Sequence, residues 1–188
     1  MCAGVRDAAN LAWKLARVLR VQADDALLDT YESERSPHVR AYIELAVRLG
    51  GLINTKAAEA AIPGGMACEE PARMETIKPL PGPGLAAGWI GLTGQVAPQP
   101  RLKDGSLLDD YVGYRFAALV QTEFAAKLSP AVLDRCAHKN ITIVTDEAPD
   151  LQSWLRAEGA GAVLVRPDRY VLGGARTPQE METLIAAV

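Results

Sequence analysis

The feature that most limits what this chain can become is a proline- and glycine-rich stretch, residues 63–100, lying between two segments of different periodicity. Pro63-Gly64-Gly65, Pro79-Leu80-Pro81-Gly82-Pro83-Gly84 and Pro98-Gln99-Pro100 interrupt any regular element. Proline lacks a backbone donor and fixes φ, while glycine loses the most conformational entropy when ordered. A connection this long is either a linker or a segment draped over a neighbouring surface. Trp89 and Ile90 give it an apolar anchor, so the expectation is an extended interdomain strap.

Before the strap, residues 1–62 read as helix. Ala8, Leu11, Ala12, Leu15, Val18 and Leu19 recur at helical spacing with Arg6, Lys14 and Arg17 between them, which predicts a packed apolar stripe. The stretch Val21-Gln22-Ala23-Asp24-Asp25 ends that helix and can cap the next. The second helix carries Leu27, Leu28 and Tyr31, then Val39, Tyr42, Ile43, Ala46, Leu49 and Ile53, and Ser36-Pro37 between them predicts a kink or restart. A helical hairpin with one stripe per arm cannot build a core alone and needs something to pack against.

After the strap, residues 101–188 alternate strand and helix signals. Phe116–Val120 suits a buried strand, Ser129-Pro130 starts a helix, and Ile141–Val144 is β-rich. Pro149-Asp150 opens a helix bearing Leu151, Trp154 and Leu155, stopped by Gly159. Ala162–Val165, the turn Arg166-Pro167-Asp168-Arg169 and Tyr170-Val171-Leu172 form a hairpin. Thr177, Pro178 and Glu180 make a capping box for a last helix with Met181, Leu184, Ile185 and Val188 on one face. A hairpin closed by a C-terminal helix matches the second half of a thioredoxin fold. The expected class is therefore α/β: a helical hairpin (1–62), a linker (63–100) and a thioredoxin-like domain lacking a CxxC pair (101–188).

Composition narrows the function. Hydrophobic residues make up 49% and charged residues 23%, ordinary for a globular protein, and a net charge of -3 argues against nucleic acid. No apolar run approaches the roughly 20 residues of a membrane span, and charges interrupt the N-terminus where a signal peptide would be apolar, so the cytoplasm is the expected compartment. Cys2, Cys68 and Cys136 form no CxxC pair, and His38 and His138 are too few and too far apart for a metal cluster. Glu34-Arg35 reads as a structural ion pair or surface charge. Arg166 and Arg169 are expected to be solvated beside their turn, with Tyr170 able to serve an interface.

One stretch carries more than periodicity. Met1-Cys2-Ala3-Gly4-Val5-Arg6-Asp7-Ala8-Ala9-Asn10-Leu11-Ala12-Trp13-Lys14-Leu15, followed by Tyr31, Glu34, Arg35 and Pro37, closely resembles the flavin-dependent aromatic-ring hydroxylases related to phenol hydroxylase and para-hydroxybenzoate hydroxylase. Ile43-Glu44-Leu45 and Arg48-Leu49-Gly50-Gly51-Leu52-Ile53 resemble the subgroup acting on 3-(3-hydroxyphenyl)propionate. Leu102-x-Asp104-Gly105, Leu107-Leu108-Asp109-Asp110 and Val165-Arg166-Pro167-Asp168-Arg169-Tyr170-Val171 resemble the C-terminal domain of the same proteins. The resemblance implies FAD, with NAD(P)H as reductant, and hydroxylation of a phenolic acid. It makes residues 1–62 the tail of an FAD-binding domain. It puts the backbone amides of Met1 and Cys2 nearest the flavin edge, with Ala3 and Gly4 behind them and Gly4 allowing close approach. Asp7 and Asn10 would hold the helix start through hydrogen bonds.

No Gly-x-Gly-x-x-Gly turn follows a strand, so the phosphate-binding half that the resemblance calls for is missing. The expectation is a fragment, or a reading frame begun at an internal methionine, with an upstream continuation ending in Gly-Gln-Gly. Its partners would be the missing N-terminal FAD and substrate domain and a second copy in a homodimer, and alone it would hold no cofactor and no catalytic or metal-binding residue. The alternatives are a free-standing, non-catalytic thioredoxin-like binding or dimerisation module and a redox protein using the single thiol of Cys136.

Overall fold

The computed structural model describes residues 2–53, 77–85, 91–145 and 147–188. It opens with two long helices, α1 (Cys2–Leu19) and α2 (Ala26–Ile53), packed antiparallel. The Asp24 carboxylate accepts from the Ala26 amide at 2.9 Å and so caps α2, as the linker composition predicts.

The packed face of α1 is not the expected stripe. Asn10, Trp13 and Lys14 are buried, whereas Ala8, Ala12, Leu15 and Leu19 are exposed, Leu19 to 80%. Periodicity counts apolar side chains, but this helix is held by polar groups that find buried partners, so its hydrophobic stripe faces outward. The expected restart at Pro37 is not found. Pro37 lies inside α2, which continues through it without restarting. Proline removes one donor from the helix ladder, and the turn around it is used from outside: the Gly82 amide donates to the Glu34 carbonyl at 2.9 Å. A Cβ on Gly82 would stand 2.0 Å from the Ser33 carbonyl oxygen, so the strap lies directly on the helix there and only glycine fits.

The remainder is a mixed sheet covered on both faces. Its elements are α3 (Leu108–Val112), β1 (Phe116–Val120), α4 (Thr122–Ala125), α5 (Pro130–His138), β2 (Ile141–Val144), α6 (Pro149–Ala157), β3 (Ala162–Val165), β4 (Val171–Ala175) and α7 (Pro178–Ala186). The strand order is β2-β1-β3-β4. β1 pairs parallel with β2, Phe116 opposite Ile141, and antiparallel with β3, Ala118 opposite Leu164; β3 pairs antiparallel with β4. All five residues of β1 are buried because alternate side chains feed two cores. Phe116, Ala118 and Val120 meet Val132, Met181, Leu184 and Ile185 on one face. Ala117 and Leu119 meet Val144, Leu151 and Leu155 on the other.

Trp13 of α1 enters the first core and meets Phe116 edge-on, centroids 5.4 Å apart, so the hairpin and the sheet share a core. The strap reaches the sheet as well. Gly94 and Ala97 donate to the Val171 and Arg169 carbonyls, and the Val171 amide donates to Gln95, which sets residues 94–97 against the start of β4. Trp89 and Ile90, the expected anchor, lie outside the described residues.

Candidate functional site

Four charged side chains meet where α1, α2, the strap and the β3–β4 turn converge. Glu34 of α2 is at the centre, buried with Lys14 of α1 and Arg166 of the turn. Arg166 donates to both Glu34 oxygens, at 2.8 Å each, and to Asp168 at 2.6 and 3.0 Å. Lys14 Nζ donates to Glu34 Oε2 at 2.9 Å. Asn10 Nδ2 donates at 2.9 Å to both Glu34 and Asp168, and the Leu85 amide of the strap donates to Glu34 Oε1 at 3.0 Å. Arg166 also lies over the Trp13 ring at 5.3 Å and the Tyr170 ring at 5.9 Å.

Two cations balance two carboxylates, which is the condition under which burying all four is tolerable. Burial pushes the Glu34 carboxyl up, but the hydrogen bonds and charge of Arg166, with Asn10 and Lys14, overcome it and hold it at about 2. Burial likewise lowers Lys14 against the pull of Glu34, while Asp168 and Glu34 raise Arg166 in spite of its burial. A carboxylate pinned this firmly does not carry protons near neutrality. The cluster is a brace.

A second layer lies toward the start of α1. Arg35 donates to Asp7 at 2.8 Å, and Arg6 donates to the Tyr42 hydroxyl at 2.8 Å. His38 Nε2 is 3.2 Å from the Tyr170 hydroxyl. Burial, then the charges of Arg35 and Arg6, lower His38 to about 4, so its imidazole is neutral at physiological pH. Tyr170 packs inside the chain, against His38 of α2. Arg166 corrects the expectation of a solvated residue: it is 0% exposed, because the turn that carries it is pressed against the helical hairpin.

The residues expected at the cofactor divide into two groups. Met1 lies outside the described residues, as does the side chain of Cys2, the first residue of α1. Ala3 is half-buried and Gly4 exposed, with open space where a Cβ would stand. Among the described residues, Asp7 and Asn10 direct their side-chain hydrogen bonds to Arg35, Glu34 and Asp168, across to α2 and the turn. The first turn of α1 holds no acidic side chain. A helix start leaves unpaired N–H groups with partial positive charge, and the open space beside Gly4 leaves room for an anionic group there. Asn10 is eight residues along the helix, about 12 Å at 1.5 Å per residue, so the brace fixes α1 close to that end.

Residues 1–46 match the FAD binding domain family and residues 94–188 match the HcaD C-terminal domain family. A probable NADH-specific resorcinol 4-hydroxylase of Rhodococcus jostii (strain RHA1) is 36% identical over 100% of this chain and 39% of its own length. A 3-(3-hydroxy-phenyl)propionate/3-hydroxycinnamic acid hydroxylase of Mycobacterium avium (strain 104) is 31% identical over 90% of this chain and 37% of its own. The substrate-free rebeccamycin biosynthetic enzyme RebC superposes with a TM-score of 0.63 at 25% identity, over 99% of this chain and 38% of that one. The chain thus spans about two-fifths of the relatives it matches. With more than half of its length matched by the HcaD C-terminal domain family and the rest led by an FAD-binding-domain segment, the chain belongs to the FAD-dependent aromatic-ring hydroxylases and corresponds to their C-terminal portion.

Proposed function

We propose that this chain supplies the flavin-edge helix and the C-terminal brace of a monooxygenase that hydroxylates a phenolic acid of the 3-hydroxyphenylpropionate type. The observation that carries the proposal is the start of α1, open at Gly4 and free of acidic side chains, clamped from behind by a buried charge cluster that includes the C-terminal domain. FAD would supply the redox chemistry, with NAD(P)H as reductant. The whole reaction consumes O2, NAD(P)H and a proton with the phenol and yields the hydroxylated ring, water and NAD(P)+. The backbone amides of Met1 and Cys2, with Ala3 and Gly4 behind, would donate toward the pyrimidine edge, where negative charge collects on reduction. Asp7 and Asn10 would act one step back by fixing the helix through Arg35, Glu34 and Asp168.

The same reading treats residues 1–62, 63–100 and 101–188 as FAD-domain tail, linker and thioredoxin-like domain. The order β2-β1-β3-β4, with β3 antiparallel to both neighbours, supports that fold class. No cysteine lies in residues 121–129, between β1 and α5, and Cys136 is buried with its thiol pushed up by burial, so the domain is structural and not a dithiol catalyst. On this reading the enzyme is a cytoplasmic homodimer. Among the described residues no helix is long and apolar enough to cross a membrane.

The test has two arms. The 188-residue chain alone should retain no FAD and show no NAD(P)H oxidation with 3-hydroxyphenylpropionate. The same chain expressed with an in-frame upstream continuation that carries a dinucleotide-binding turn should bind FAD and oxidise NAD(P)H when the phenolic acid is added. Bound flavin in the first arm, or none in the second, would overturn the proposal.

A further inference from the structure

A cleft of about 350 Å³ opens where three helices end together, at the opposite end of α1 from Gly4. Arg17 and Arg20 come from the end of α1, Arg115 follows α3, and Lys139 follows α5. Trp13, Tyr114 and Phe116 supply aromatic walls, and among the described residues no aspartate or glutamate lines the cleft. Basic residues at helix C-termini have an ordinary cause, since each end carries about half a negative charge. Three such ends bring at most about −1.5 charges, which leaves the four cations well in excess. Their other contacts offset only part of it. Arg17 donates to the Gln22 carbonyl at 3.1 Å and to a carboxylate oxygen of the last residue, Val188, at 2.5 Å, and Arg115 donates to the carbonyls of Val112 and Tyr111. Among the described residues, neither Arg20 nor Lys139 forms an ion pair.

We propose that this cleft is a binding site for a small aromatic carboxylate, its ring against Tyr114 and its charge among Arg17, Arg20 and Lys139. Three observations support the class of ligand. The Arg17 guanidinium already lies over the Phe116 ring at 5.3 Å, so cation and aromatic faces are interleaved as a planar anion requires. The Trp13 indole N–H is buried and has no acceptor among the described residues. Burial, then the charges of Arg17 and Arg135, lower Lys139, a crowding of like charges that a bound anion relieves. Arg20 is 18 residues from Cys2 along the helix axis, about 27 Å at 1.5 Å per residue, so the cleft is separate from the proposed flavin edge. The inference does not depend on the proposed activity.

The test is a titration of the 188-residue chain with benzoate, followed by 1H–15N spectra, with inorganic phosphate and cyclohexanecarboxylate as comparators. Benzoate should shift the Trp13 indole and the Tyr114 and Lys139 amides saturably, bind more tightly than either comparator, and weaken as salt is raised. Lys139→Glu should weaken binding by about tenfold or more and Tyr114→Ala by several-fold. Both substitutions fall outside the cores, and Tyr114 is 87% exposed. No saturation by about 10 mM benzoate, phosphate binding as tightly as benzoate, or unchanged affinity in both variants would each overturn the proposal.

Discussion

Replacing Arg166 with methionine tests the brace at its most connected point. The substitution keeps an unbranched side chain of similar reach over Trp13 but removes a guanidinium that is 0% exposed. Four hydrogen bonds disappear, two to Glu34 and two to Asp168. The remaining groups, Glu34, Asp168 and Lys14, carry a net buried charge of −1, where the intact cluster is neutral. Removing one partner of a buried ion pair costs about 3–5 kcal/mol, because the other is left uncompensated.

Urea unfolding followed by circular dichroism would measure this as a lower midpoint at unchanged slope. The deficit should also depend on pH. In the native protein Glu34 is held at about 2, below its ordinary 4.5, so its stabilising contribution is complete above 4.5 and fades as pH falls toward 2. Without Arg166, Glu34 loses the partner that does most to hold its carboxyl down, so protonation costs the variant less. The gap between the two proteins should therefore be largest above pH 4.5 and narrow in acid. A loss below about 1 kcal/mol, the range of exposed pairs, or a gap that does not vary with pH, would refute a buried, tightly paired cluster.

Further outcomes follow from other contacts. Gly82→Ala should cost about 1–3 kcal/mol in the same urea assay, since its Cβ would stand 2.0 Å from the Ser33 carbonyl oxygen. Thr177→Ala removes the acceptor for the Glu180 amide in the capping box of α7 and should cost about 1 kcal/mol, or a few degrees in Tm. His38 is lowered from 6.5 to about 4, so its contribution is complete above pH 6.5 and is lost as pH falls through 4. In His38→Gln, stability measured across that interval should vary less with pH than in the unsubstituted protein.

Three of the four strands were legible in the sequence to the residue, β4 runs on to Ala175 past the expected Tyr170–Leu172, and the helical face was not legible. β1, β2 and β3 coincide with the apolar runs Phe116–Val120, Ile141–Val144 and Ala162–Val165, because strands covered on both faces must be apolar throughout. The start of α7 was equally plain, since Thr177 and Glu180 act within three residues of each other. α1 misleads because its packed face contains Asn10 and Lys14, which are stable in the interior only through Glu34 and Asp168, residues distant in sequence. Arg166 misleads for the same reason: the carboxylate that buries it is 132 positions away. What local spacing could not reveal, the family resemblance partly held, since Lys14, Glu34, Arg166 and Asp168 all fall within its matched motifs. Pro37 shows a third kind of limit, since α2 runs through it and the strap packs on the turn before it at Gly82.

The central claim is that the flavin-edge helix and the C-terminal domain are one cooperative body joined through Glu34 and Arg166. Native-state hydrogen exchange measures this most directly, because it reports the opening free energy of each amide separately. The amides of Trp13 to Val18 in α1 should open only with those of β1 and β3, at the same free energy, and both sets should lose protection together in Arg166→Met. If α1 exchanges at a much lower free energy while the sheet keeps its protection, and Arg166→Met leaves that pattern unchanged, the helix is not braced by the domain and the account fails.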